Sequence, residues 1–212
     1  KAMERIDNEL LPALMQAKGA DVTTPLLQLR EQARHIAMSL DALFAQNSEL
    51  DAGRDALTRL LNRKFLPVVL TKEVQYARQS ASTFSLVSLD IDYFKQINDQ
   101  YGHEGGDMVL QQVAAVLNNN IRGGDYLFRL GGEEFLMVLV DTSAAGAMSV
   151  AEKLRTQIER EVFHLPHNQT GKITISAGIA TFNGHPDYLR VLRHSDEALY
   201  QAKLHGRNAV VV

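Results

Sequence analysis

Cysteine is absent from all 212 residues, which excludes disulfides and thiolate zinc sites. No apolar run approaches the roughly 20 residues needed to span a bilayer. There is no surplus of positive charge either. The formal net charge of −3 argues against general binding of nucleic acid or of an anionic membrane surface. Neither a Walker-type phosphate loop nor a Rossmann glycine fingerprint occurs, so a nucleotide would have to be held in another way. Internal repeats and low-complexity stretches are also missing. No signal peptide is recognisable, but the chain starts at Lys1 rather than methionine, so a fragment of something longer is expected. The expected compartment is soluble and reducing, the cytoplasm. A hydrophobic content of 45% suffices for a substantial core in one full domain with an appendage.

Residues 1–50 differ in character from the remainder. Met3, Ile6, Leu10 and Leu14 predict one amphipathic helix ending near Gly19. Thr24 and Pro25 then supply an N-cap and a first-turn proline for a second helix. Along it Leu26, Leu29, Ala33, Ile36, Leu40, Leu43, Asn47 and Leu50 follow alternating steps of three and four. That is a heptad pattern with one polar position of the kind that fixes register in a dimeric coiled coil. Leu27, His35 and Phe44 widen the apolar stripe, so an amphipathic helix in an intrachain bundle is an equal reading. Gly53 ends the pattern, and 51–54 reads as a linker. Two units result: a helical signalling or dimerisation segment over 1–54 and a globular domain over 55–212.

From residue 55 onward helices and strands alternate. The spacing predicts a helix over 60–78, a strand over 84–89 and a helix over 103–121. Two strands at 126–130 and 135–140 are joined by a glycine-led turn. A helix from about 143 to 161 follows, then a strand over 172–181. That strand is expected to be half-buried, because Ile173, Ile175, Ala177 and Ile179 share one parity. A helix over about 186–205 stops at Gly206, and 209–212 forms a final short strand. This order favours an α+β fold, with an antiparallel-rich central sheet flanked by helices. His164 and His167 fall in a stretch, 163–167, that reads as a surface loop, and His35 reads as packing or solvent-facing.

The turn carries the chemistry. Gly131, Gly132, Glu133 and Glu134 place two adjacent carboxylates at the tip of a hairpin, where glycine permits positive φ and close approach of a phosphate. Taken alone, such a turn with solvated acids is unremarkable. A second acidic locus, Asp90-Ile91-Asp92, stands at the end of the 84–89 strand. Hard oxygen donors from separate strands, Asp90 with Glu133 or Glu134, suit Mg²⁺ or Mn²⁺ when substrate phosphates complete the shell. Lys95 adds a point charge. Asn98, His103 and Asp107 can read a base edge or a ribose, or can serve as turn and capping residues. Lys203 and Arg207 at the end of the last helix either complement its dipole or grip a triphosphate.

These residues carry a family resemblance. The runs Asp55, Leu57, Thr58, Leu60, Asn62 and Arg63; Asp90 to Lys95; Asn98 and Asp99; Gly102 and His103 with Gly106 and Asp107; Gly131 to Phe135; and Ala202 and Lys203 with Gly206 to Asn208 stand in the order found in the GGDEF family of bacterial diguanylate cyclases. The match covers about residues 55–212. The helical leader resembles that of the globin-coupled, oxygen-sensing members. The resemblance implies condensation of two GTP into cyclic di-GMP with release of two pyrophosphates, on a fold similar to the palm of polymerases and nucleotidyl cyclases. It implies Mg²⁺ or Mn²⁺ at Asp90, the Ile91 carbonyl and Glu133, with Glu134 in or beside that site. Glu133 would also help to deprotonate the attacking hydroxyl. Asn98 and Asp107 would recognise guanine, with His103 nearby. The amides around Tyr93 and Phe94, with Lys95, Lys203 and Arg207, would hold phosphates.

The resemblance further implies a homodimer, since each domain presents one GTP to the other. It implies a covalently linked N-terminal sensor domain, with any haem held there and not in this chain. Arg122-Gly-Gly-Asp125 matches the family's RxxD site, where cyclic di-GMP binds as inhibitor; a surface turn is the plain alternative. No nucleic-acid partner and no membrane segment are expected. Two other functions compete: a non-catalytic receptor for GTP or cyclic di-GMP, and a purely structural dimerisation module. The intact acids, Lys95, Asn98 and Asp107 favour the enzyme.

Overall fold

The computed structural model describes residues 53–212. The helices and the heptad pattern expected before Gly53 lie outside the described residues. A short strand β1 (Leu61–Asn62) leads into a 3₁₀ turn, Arg63–Phe65, and helix α1 (Leu66–Ser80). A helix had been expected from residue 60. Leu61 and Asn62 instead pair in parallel with Phe128 and Arg129, and the Asn62 side chain accepts from the Lys64 amide to start the turn. Pro67 then occupies the first turn of α1, where its missing N–H has no partner to lose. Gly53 and Arg54, expected as linker, are pinned to β1: the Asn62 amide donates to the Gly53 carbonyl, and Arg54 bridges Leu61.

Strand β2 (Phe84–Ile91) is followed by helix α2 (Phe94–Asn118), which begins nine residues earlier than the spacing suggested. Its φ/ψ values break at Gly102, φ 71° and ψ 176°, so two helical pieces meet there. Strands β3 (Tyr126–Gly131) and β4 (Glu134–Val140) form the expected hairpin, and helix α3 (Ala144–Arg160) starts from a Ser143 side-chain cap. Residues 163–171 are a small two-stranded hairpin, β5 (Phe163–Leu165) and β6 (Gln169–Gly171), where a loop had been expected. Phe163 and Leu165 are buried while His164 between them is exposed. That period of two is too short to stand out in the sequence. Strand β7 (Ile175–Thr181), helix α4 (Tyr188–Leu204) and strand β8 (Val210–Val211) complete the chain.

The main sheet runs β1-β3-β4-β2-β7-β8. Its four central strands are antiparallel neighbours, and both outer strands pair in parallel. Val87, Leu89 and Ile91 turn to one face, where they join Val109, Val113, Leu154 and Ile158 of α2 and α3. Leu86 turns to the other, with Phe128 and Leu136 against Leu70, Val74 and Val191 of α1 and α4. Covering both faces explains why β7 is buried along nearly its whole length rather than on one parity alone. Helix α4 crosses β7 so closely that a Cβ on Gly178 would collide with the Leu199 amide nitrogen and the Ser195 carbonyl. This close approach fixes α4 on the sheet and brings its last turn to the rim where β2 ends. No helix among the described residues is long and apolar enough to cross a membrane.

Candidate active site

The site begins with Asp90, the next-to-last residue of β2. Its Cα is paired with that of Glu134 on β4, and the neighbouring Ile91 amide donates to the Glu133 carbonyl at 3.4 Å. The hairpin tip is thereby docked on the end of the strand carrying Asp90. Gly131 (φ 148°) and Gly132 (φ 50°) supply the backbone angles that this tight reversal requires. Asp90 is buried, and its Oδ2 lies 2.7 Å from Lys203 Nζ in the last turn of α4. Burial pushes the Asp90 carboxyl up to about 6. The Lys203 ammonium pulls the other way, and the charges of Glu133 and Glu134 add to the rise. Three carboxylates thus converge on one rim with a single ammonium paired to the innermost.

Two residues on, Asp92 has a different environment. Its Oδ1 accepts from Ser176 Oγ at 2.7 Å, and its Oδ2 from Thr174 Oγ1 at 2.7 Å and the Asn208 amide at 2.9 Å. Of the Asp-x-Asp pair only Asp90 faces the cluster of charge. Tyr93 follows in the left-handed region, φ 56°, with its ring exposed and the Arg207 guanidinium 4.6 Å from the ring centroid. Helix α2 then starts without a side-chain cap, so the Phe94 and Lys95 amides lack a capping acceptor while that of Gln96 donates to the Tyr93 carbonyl at 2.8 Å. The Phe94 ring is buried, so only its main chain is available there, while Lys95 is exposed. The break at Gly102 folds α2 back on itself: a Cβ on Gly106 would strike Asn98 Oδ1. Asn98 is therefore brought beside the neighbour of Asp107. His103 and Asp107 are exposed.

Arg122 and Asp125 lie at the other end of the hairpin. Arg122 Nη2 donates to the Val140 carbonyl at 2.7 Å and to Thr142 Oγ1 at 2.6 Å, and its Nε stands 3.4 Å from Asp125 Oδ2. Asp125 accepts from the Val140 amide at 3.0 Å. Both line an open cavity of about 400 Å³ with Asp141, Thr142 and Ser143.

The family described as "Diguanylate cyclase, GGDEF domain" matches residues 52–209. The chain belongs to this GGDEF family. It is 40% identical over 185 residues to diguanylate cyclase DosC of Escherichia coli K12, covering 87% of this chain and 40% of that protein. Response regulator PleD of Caulobacter vibrioides is 37% identical over 215 residues, all of this chain and 46% of that protein. The chain thus spans less than half the length of these two relatives. A crystal structure of the coiled coil and GGDEF domain of DgcB from Caulobacter crescentus, in complex with c-di-GMP, superposes with a TM-score of 0.84 at 30% identity. It covers 87% of this chain and 98% of that one.

Within this GGDEF domain no group of three or more His, Cys, Asp or Glu side chains is arranged to hold a metal among the described residues. The donors at the rim are instead one buried carboxylate, a main-chain carbonyl and the hairpin acids. Few hard oxygens from the protein, with room for phosphates and water, fit Mg²⁺ or Mn²⁺ better than a metal that needs a complete protein cage. One structural contributor had no sequence signal of its own. Arg129 of β3 donates from Nε and Nη2 to the Gly132 carbonyl, at 3.1 and 2.8 Å, and from Nη1 to both oxygens of Asp55. Asp55 also accepts from Thr58 N and Oγ1. The start of the domain and the hairpin tip are thereby tied through one guanidinium, a long-range pairing invisible to local spacing.

Proposed function

We propose that this GGDEF domain is a diguanylate cyclase that condenses two GTP into cyclic di-GMP and two pyrophosphates. The observation that carries the reading is the rim cluster: buried Asp90 with Glu133 and Glu134 about it and Lys203 paired to it, beside the uncapped start of α2. Asp90, the Ile91 carbonyl and Glu133 hold Mg²⁺ or Mn²⁺, with Glu134 beside them; when bound, the cation neutralises charge on the triphosphate and acidifies an oxygen nucleophile. The amides at Tyr93 and Phe94 with Lys95, Lys203 and Arg207 bind the β and γ phosphates, which fixes the α-phosphate for in-line attack. Asn98 and Asp107 present amide and carboxylate edges to guanine, with His103 at the margin. Glu133 receives the proton of the attacking 3′-hydroxyl.

Each bond joins two separately bound nucleotides, so two domains face each other as a homodimer. Residues 1–54 supply the dimerisation or signalling segment, and a covalently linked sensor domain, haem-bearing by the resemblance of the leader, supplies the input. Dependence on GTP makes the domain cytoplasmic. Cyclic di-GMP inhibits at Arg122 and Asp125, where the fork of a guanidinium and a carboxylate matches phosphate and guanine edges.

Incubation with GTP and Mg²⁺, with chromatography for cyclic di-GMP, tests the reaction. Product is expected from the dimer, and none from a forced dimer would overturn the reading. Undiminished specific activity in a strictly monomeric fragment lacking residues 1–52 would sink the dimer requirement. Unchanged inhibition of Arg122→Ala by added product would remove the inhibitory site.

A further inference from the structure

The turn that carries Arg207 is built from three consecutive left-handed residues, Gly206 (φ 105°), Arg207 (φ 66°) and Asn208 (φ 45°). Glycine adopts this region freely and asparagine tolerates it, but arginine rarely does. Such a conformation persists only where its surroundings over-determine it. Here they do so through Asn208. Its main-chain amide donates to Asp92 Oδ2 at 2.9 Å. Its side-chain Oδ1 accepts from Arg155 Nη1 at 2.9 Å, and its Nδ2 donates to Glu159 Oε1 at 2.8 Å. Arg155 is itself held by Glu152 and Glu159 one turn either side on α3, and is mostly buried. Both ends of the Asn208 amide are therefore read by charged partners from another element.

The same turn is anchored upstream, where the Arg207 amide donates to the Ala202 carbonyl at 3.2 Å, and downstream, where Ala209 accepts from the Ala177 amide at 2.9 Å. Between these anchors the Arg207 guanidinium has no hydrogen-bond acceptor among the described residues. It lies instead on the Tyr93 ring, 4.6 Å from the centroid. An arginine held in a strained backbone, laid on a ring with its donors unspent, is pre-organised for an anion.

We propose that Asn208 is a positioning residue: clamped by Asp92 just past the end of β2 and by Arg155 and Glu159 from α3, it fixes the strained turn that aims Arg207 at the phosphates of the nucleotide. This rests on the reading of Arg207 as a phosphate ligand. Arg155 acts at one further remove. If the clamp merely joined β8 to the sheet, its loss would lower stability without changing how well Arg207 binds an anion.

The test measures the affinity of the 212-residue chain for inorganic pyrophosphate with Mg²⁺ by calorimetry, alongside KM and kcat for GTP and the thermal midpoint. Arg207→Ala is the control and should weaken pyrophosphate binding about tenfold, as expected for loss of one charge-assisted contact. Asn208→Ala should weaken it about fivefold, and the double variant should be no weaker than Arg207→Ala alone. Asn208→Gly keeps the permitted backbone angles but loses the side-chain anchors, so it should fall with Asn208→Ala. Arg155→Met should reproduce a smaller loss, which Arg155→Lys partly restores. Arg155→Met leaves the turn's sequence intact and serves if the Asn208 variants fail to fold.

The proposal is overturned if folded Asn208→Ala and Arg155→Met bind pyrophosphate like wild type. It is equally overturned if the Asn208 loss adds in full to that of Arg207→Ala. A different failure, Arg207→Ala binding pyrophosphate undiminished, would refute the phosphate reading of Arg207 itself.

Discussion

The β3–β4 hairpin has a polar cluster at each end, and the two are built on opposite terms. They are separated by the length of β4, roughly 20 Å for seven extended residues. At the far end Arg122 and Asp125 are both spoken for. Arg122 donates to Val140 and Thr142, and Asp125 accepts from Val140 and faces Arg122. At the tip, the side-chain carboxylates of Glu133 and Glu134 have no hydrogen-bond partner among the described residues, and their charge raises the cost of ionising Asp90. Internal satisfaction stabilises a fold; uncompensated like charge destabilises it and persists where a ligand is to supply the compensation. The tip therefore suits the cation proposed for it. The far end is a structural clasp that a ligand can enter only by exchanging bonds already made.

Removing a tip acid should have the largest effect. Glu133→Gln should reduce cyclic di-GMP formation by about 10²–10⁴-fold and leave the thermal midpoint unchanged or slightly raised, since no internal bond is lost and one like charge beside Asp90 is removed. A folded variant with near-normal rate would break the contrast at its functional end. Next comes Asp92→Ala, two residues from Asp90 but satisfied like the far end. It orphans Thr174 Oγ1, Ser176 Oγ and the Asn208 amide and should cost about 3 kcal/mol in denaturant unfolding. A cost below about 1 kcal/mol would mean that satisfaction is a poor guide to stability here.

The buried tip acid gives a pH signature of the same contrast. Asp90 has a folded value near 6, above the roughly 3.9 of an unfolded aspartate, so the native state binds its proton more tightly. The resulting stability is fully present below the unfolded value and is lost as pH rises through about 6. In chelator, wild type should therefore lose stability relative to Asp90→Asn between about pH 4 and about pH 6, with a constant gap at higher pH. Thermal midpoints of the two proteins across that range check it. A gap that widened toward acid would reverse the sign and show Asp90 to be stabilised as the anion.

Much of this was legible in the sequence because it is local. The glycine-led hairpin, the Ser143 cap and the end of α4 near Gly206 follow from turn chemistry and periodicity, and the resemblance of ordered motifs found the rim residues. Several things were not legible, these three among them. The start of α1 was misplaced because Leu61 and Asn62 pair with β3, a partner 67 residues away by register, and helix-forming composition does not reveal it. Strand β7 looked half-buried because parity reports one face, whereas helices cover both. Asp90 was singled out as the metal donor, but the anchoring role of Asp92 was hidden, because Thr174, Ser176 and Asn208 reach it only through the fold. In each case a contact distant in sequence decided what spacing left open.

The smallest expected effect bears on the far end. Arg122 is mostly exposed, with a side-chain accessibility of 64%, so its ion pair with Asp125 is weakened by solvent. Arg122→Ala should cost no more than about 1 kcal/mol, although it removes donors to Val140 and Thr142. Asp125→Ala should cost more, because its side chain is only 4% exposed and the Val140 amide loses its acceptor. The clasp thus has a buried half, Asp125, and an exposed half, Arg122. Chemical denaturation of the two variants checks the order. If Arg122→Ala proved the more destabilising, the guanidinium would be bound into the fold too firmly to exchange its internal bonds for those of an inhibitor.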